Sequence, residues 1–116
     1  MKLLMHNMLS SMGLQNVTVG FPLKIVANEV KDISVEFDKK FMKRIISKVD
    51  WNALRDTAAQ FGVKLPTELP NGNISDELLK QIHGALMEIE IIEGKLVCPE
   101  TGHEFPINNG IPNMLF

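Results

Sequence analysis

Cys98 is the only thiol in the chain, and it opens the segment Cys98-Pro99-Glu100-Thr101-Gly102-His103. A zinc knuckle presents two ligands as Cys-x-x-Cys-Gly in such a turn. Structural Zn2+ takes four Cys or His donors in paired spacings. Here Thr101 stands where the second Cys would be. Three readings of Cys98 are open: a plain thiol, a mixed metal site with His103 and His6, or a nucleophile. The last needs a base and an orienting group. The plain thiol needs no further partner. His6, His83 and His103 are widely spaced, and His83 follows Ile82 in a helical pattern, which reads as packing or surface. No HExxH, GxGxxG or GxxxxGK[ST] occurs, so neither a metalloprotease helix nor a dinucleotide or phosphate cradle is signalled. Glu88 and Glu90 lie two apart on a strand pattern and read as a solvated face. The expectation is no catalytic residue and no metal ligand set in this chain.

The other concentration is soft and apolar. Met1, Met5, Met8, Met12 and Met114 are five of the seven methionines, all near the ends. Methionine fills irregular cores and also serves adaptable binding surfaces. The segment Phe105-Pro106-Ile107 and the run Gly110-Ile111-Pro112-Asn113-Met114-Leu115 favour the second use. A strand with prolines is confined to a sheet edge. An apolar edge invites pairing with another chain.

The elements that position these residues follow from hydrophobic period. Residues 2–5, with the apolar run Leu3-Leu4-Met5, suggest a short strand, and 10–20 a loop. Pro22 to Val35 alternates and suggests strands, with a turn or bulge within Asn28 to Asp32. From Asp38 the period becomes helical: Phe41, Met42, Ile45, Ile46 and Val49 share a face, with Asp38 as N-cap. Asp50 caps a second helix carrying Trp51, Leu54, Ala58 and Phe61, which Gly62 stops. Residues 66–73 form a Pro- and Gly-bearing loop. Ser75 caps a third helix with Leu78, Leu79, Ile82, Ala85 and Leu86. At Met87 the period drops to two, and Glu93-Gly94 suggests a hairpin turn into Lys95-Leu96-Val97. The expected fold class is therefore α+β. Residues 1–37 and 87–116 supply one small antiparallel β domain from both termini, and residues 38–86 a central three-helix insertion.

Composition bounds the function. The 116 residues fit one compact unit. Hydrophobic residues are 45% and charged residues 22%, ordinary for a globular protein. A net charge of -2 argues against nucleic-acid binding as the chain's sole task. A lone Cys excludes an internal disulfide framework and fits a reducing compartment. No segment approaches a membrane span, and the apolar run after Lys2 is too short for a secretory signal. The expected location is cytoplasmic and nuclear.

Taken together, several segments resemble one family. They are Lys2-Leu3-Leu4, His6-Asn7-Met8-Leu9-Ser10-Ser11, Gly20-Phe21-Pro22-Leu23, Val49-Asp50-Trp51, Glu93-Gly94, Cys98-Pro99-Glu100-Thr101-Gly102, and Phe105-Pro106-Ile107 through Gly110-Ile111-Pro112-Asn113-Met114-Leu115. In order and along the whole chain, the set is similar to the small eukaryotic multifunctional methyltransferase-subunit family. The resemblance implies a zinc-knuckle-like sheet with a helical insert and no catalytic centre. It implies a heterodimer with catalytic methyltransferase subunits, which hold S-adenosylmethionine and act on tRNA, rRNA and a translation release factor. Activation and stabilisation of those partners is the implied role. Some members carry a four-Cys zinc site, two ligands in the N-terminal loop and two in the knuckle. Only Cys98 matches it, Thr101 replaces another ligand, and residues 10–20 hold no Cys, so no zinc is expected. Carried over by motif, the partner-binding residues are Asn7, Met8, Leu9, Phe105, Pro106, Ile107, Ile111, Pro112, Asn113, Met114 and Leu115.

A second reading is an RNA-contacting accessory module. Lys39, Lys40, Lys43 and Arg44 form the densest basic cluster, which otherwise reads as a solvated helix face.

Overall fold

The computed structural model describes residues 1–115. Four helices and four strands follow in the order α1 (Leu3–Met8), β1 (Lys24–Asp32), α2 (Lys39–Ile46), α3 (Trp51–Gln60), α4 (Asp76–His83), β2 (Ile89–Val97), β3 (Glu104–Asn108) and β4 (Ile111–Pro112). The strands make one antiparallel sheet in the order β1-β2-β3-β4. The chain is α+β.

Each central helix starts where a side chain can satisfy an orphan amide. Asp38 accepts from Phe41 N, Asp50 from Ala53 N, and Ser75 from Leu78 N. Gly62, at φ +84°, ends the second of them in the left-handed region. Helix α4 loosens into one π-helical turn, Gly84–Glu88, before the chain extends. Helical geometry thus persists past Met87, and β2 begins at Ile89.

Three expected elements differ. The N-terminal apolar run is helix, not strand. Leu3, His6 and Asn7 are its buried positions, at helical spacing. His6 and Asn7 looked like the end of an apolar stretch because they are polar, but both point inward onto backbone partners. The alternating run after Pro22 is one strand. It ends at Asp32, short of Val35, and its register against β2 shifts between Ala27 and Val30, so of the turn or bulge expected there the chain makes the bulge. Glu93-Gly94 is no turn either. Gly94 lies in mid-strand, where a Cβ would sit 2.2 Å from Val26 O. The glycine is there because β1 passes too close for any side chain. The reversal comes later, at residues 98–103, where Gly102 N donates to Cys98 O and Cys98 N to His103 O.

One buried cluster joins the layers. Leu23 just before β1, Ile25 of β1, Ile91 and Leu96 of β2, and Phe105 and Ile107 of β3 meet Met42, Leu54, Ala58, Leu79 and Ile82 of the helices. Leu3 of α1 and Met1 belong to the same cluster.

Candidate functional site

The chain start is tied to β2. The Met1 ammonium donates to Ile91 O at 2.7 Å and to Glu90 Oε1 at 3.0 Å, and Ile91 N donates back to Met1 O at 2.8 Å. Lys2 pairs with Glu90 and donates to Met87 O. Gly110 closes over this tie, since a Cβ there would lie 3.2 Å from Met1 N and 3.1 Å from Glu90 Oε1. Above it opens a groove of about 440 Å³, lined by Met1, Lys2, Leu4, Met5, Met8, Glu90 and Gly110. Met5 and Met8 are 48% and 52% exposed at its side. Ile111, next in chain to Gly110, is 69% exposed, and Leu115 76%. Pliable apolar side chains held out by a rigid helix and a strand end are suited to binding another protein.

The motif-derived partner residues divide by placement. Met8, Ile111 and Leu115 are exposed, as are Pro106 and Asn113. Leu9, Pro112 and Met114 are half-buried. Leu9 and Met114 pack against the core. Asn7, Phe105 and Ile107 face inward and are buried. Asn7 grips the peptide that caps α3: its Nδ2 donates to Asp50 O at 3.0 Å, and its Oδ1 accepts from Asp50 N at 2.9 Å. Phe105 and Ile107 are core strand residues. Lys2, Glu90 and Gly110 were not singled out as site residues. Glu90 looked like a solvated acid, and only the return of the chain start to β2 makes it structural. An isolated Gly before an apolar run was the available signal for Gly110.

The Cys98 turn gathers hydroxyls rather than metal ligands. Ser11 Oγ donates to Cys98 Sγ at 3.0 Å, and Thr101 N to the same sulfur at 3.4 Å. Burial by itself raises the thiol; the bonds from Ser11, Thr101 and the Glu100 backbone outweigh it and bring the pKa to about 7. The Glu100 carboxylate binds Thr18 N and Oγ1 and Val19 N, which lashes the 10–20 loop to the turn and holds that carboxyl below its usual range. One thiol with two hydroxyl-bearing neighbours does not fit zinc, which needs four Cys or His donors. Among the described residues no group of three or more His, Cys, Asp and Glu could hold a metal ion. His6 Nε2 lies 2.7 Å from Leu23 O, and His103 packs on Phe105, so neither completes a site with Cys98. His83 is buried, 2.9 Å from Val35 O and edge-on to Phe37.

The family model described as Trm112p-like protein matches residues 2–110. The chain belongs to the Trm112p-like family. Among its Trm112p-like relatives, the multifunctional methyltransferase subunit TRM112 homolog A of Arabidopsis thaliana is 47% identical over 99% of this chain and 95% of its own. The TRM112-like multifunctional methyltransferase subunit of Mus musculus is 46% identical over 99% of this chain and 94% of its own. A chain of the E. cuniculi Mtq2-Trm112 complex, described as responsible for methylation of the eRF1 translation termination factor, superposes with a TM-score of 0.57. It covers 99% of this chain and 95% of its own at 16% identity, and so supports the Trm112p-like fold alone.

Proposed function

We propose that this chain is a non-catalytic activating and stabilising subunit of S-adenosylmethionine-dependent methyltransferases, forming a heterodimer with each catalytic subunit. The observation that carries the reading is the Met5–Met8 groove, together with the exposed Ile111 that follows Gly110 at its wall and the exposed Leu115. This is exposed apolar surface on an otherwise well-packed fold whose close relatives are named as methyltransferase subunits. On this reading the cofactor and all chemistry reside in the partner. Substrates are tRNA, rRNA and a translation release factor, and the setting is cytoplasm and nucleus. Residues 1–37 and 87–116 form the partner-facing unit, and residues 38–86 the helical insertion. Binding selects the partner's folded form and so stabilises it by mass action.

The test is co-expression with a panel of methyltransferases that act on RNA or protein, with capture and methyl transfer measured with and without this chain. Several partners should become soluble and active only in its presence. If none is captured, the function is wrong. Removal of residues 111–116 should abolish capture while far-ultraviolet circular dichroism retains the helices; undiminished capture would move the interface elsewhere.

A further inference from the structure

Charge is distributed unevenly over this molecule. Residues 39–48 hold five of the chain's 12 Lys and Arg and no Asp or Glu, which leaves the remainder strongly acidic. Helix α2 turns Met42 into the core and exposes Lys39, Lys40, Lys43 and Arg44. Among the described residues, only Lys39 of these has a carboxylate partner, Asp76 at the start of α4, 2.9 Å away. Lys43 and Lys80 also act on that carboxylate, which sits below its usual range chiefly through Lys39. Lys80 of α4 therefore joins the α2 cations on one surface, a convergence invisible in sequence spacing. Beside them a groove of about 490 Å³ runs between α2 and the loop before α4, lined by Lys39, Lys43, Gly72, Asn73 and Ile74.

The character of the surface decides its partner. The large exposed hydrophobic side chains are Met5, Met8, Met12, Val19, Val26, Val30, Ile33, Ile111 and Leu115. Among the described residues, none falls on α2, α4 or the loop before α4. Protein docking uses buried aromatic and aliphatic anchors, and membrane-surface helices bury an apolar face beside their lysines. This face offers neither. It offers cations at intervals, a groove lined by an Asn, and Arg44 lying 5.7 Å from the Phe41 ring centroid. Cations match backbone phosphates, and an amide can read a ribose 2′-hydroxyl.

We propose that the α2 face, with Lys39, Lys40, Lys43, Arg44, Lys80 and the Asn73 groove, binds the phosphodiester backbone of RNA. It is separate from the Met5–Met8 surface and does not rest on it. The whole-chain charge of -2 makes this an adjunct contact, weak alone and salt-sensitive.

The full-length chain is titrated into a fluorescent RNA hairpin at low salt, and the affinity is followed as salt rises. Three phosphate contacts give a slope of log K against log salt of about -2 to -3, at roughly 0.7 to 0.9 per phosphate. The triple variant K40Q/K43Q/R44Q leaves the Lys39–Asp76 pair intact. It should bind at least about tenfold more weakly with a much shallower slope, while K40R/K43R keeps wild-type binding. A DNA hairpin of the same sequence should bind more weakly than RNA, and polyglutamate and anionic vesicles not at all. The proposal falls if the triple variant binds RNA as tightly as wild type, if wild type binds no RNA, or if DNA, polyglutamate or vesicles match RNA. Capture of a methyltransferase by the triple variant should be undiminished; its loss would place these residues in the subunit interface and overturn the assignment.

Discussion

Asn7 separates two roles that a binding motif can hide. Motif resemblance makes it a partner contact, whereas the structure makes it a clamp on the Asp50 peptide through two hydrogen bonds, at 3.0 and 2.9 Å. Asn7→Ala removes both. At about 1 kcal/mol net per bond the cost is about 2 kcal/mol. For a chain of 116 residues that lowers Tm by about 8 °C. Asn7→Asp keeps an acceptor for Asp50 N but sets a carboxylate oxygen against Asp50 O, so its loss should exceed that of alanine, at about 3 kcal/mol. Thermal and urea unfolding followed by circular dichroism gives both values. Capture of a methyltransferase well below Tm should survive Asn7→Ala. An unchanged Tm with lost capture would refute the clamp and return the side chain to the interface.

Ile111→Asp should behave in the opposite way. The exposed side chain contributes within about 0.5 kcal/mol to the fold, so Tm should hold. Partner affinity should drop at least about tenfold, because apolar burial of about 1–2 kcal/mol is lost and a charge must be desolvated. Gly94→Ala should cost about 3 kcal/mol in urea unfolding, since its Cβ would meet Val26 O at 2.2 Å with backbone on both sides. His6 sets a pH dependence. Burial, partly offset by the bond to Leu23 O, lowers its pKa, so the folded form holds the imidazole neutral while the unfolded chain takes a proton near 6.5. This stability is complete above about pH 6.5 and is lost as pH falls through the folded value; His6→Gln should flatten the urea midpoint between about pH 7.5 and 5.5. Prolonged chelation should leave Tm unchanged and release no stoichiometric zinc, because Ser11 and Thr101 bond the Cys98 sulfur where metal ligands would stand.

Periodicity is enough for the three central helices. Asp38, Asp50 and Ser75 announce their starts, and each makes the cap bond its residue type suggests. The class of the sheet and the turn at Cys98 were equally readable. The misread elements share one cause, namely that tertiary contacts overrode a local signal. His6 and Asn7 are polar, and nothing nearby in sequence says that Leu23 O and the Asp50 peptide await them. Gly94 follows a Glu as turn glycines do, but its reason is a strand more than sixty positions earlier. For the site, Met8, Ile111 and Leu115 were legible as exposed apolar residues near the ends. Phe105 and Ile107 belong to the same motif and serve the core. A motif lists residues that occur together and does not say which way each side chain points. Glu90 and Gly110 depend on a contact between the first residue and β2, which no local pattern carries.

The register of β1 against β2 has a consequence for how the chain reaches this state. Lys24 pairs with Val97 and Asp32 with Ile89, so residues 33–88 form one closed loop between the strands. Closing a flexible loop of that length costs about 3.5 kcal/mol in chain entropy before any ladder contact repays it. The three capped helices lie inside that loop and form from local contacts, and as they condense they shorten the gap that β2 must cross. Pairing of β1 with β2 is then a late event in folding, whereas β2–β3–β4 is local, and the Met1–Glu90 tie, which joins positions 89 apart, is among the last to form. Substitutions at the helix caps should therefore slow the appearance of the sheet as well as weaken the helices themselves.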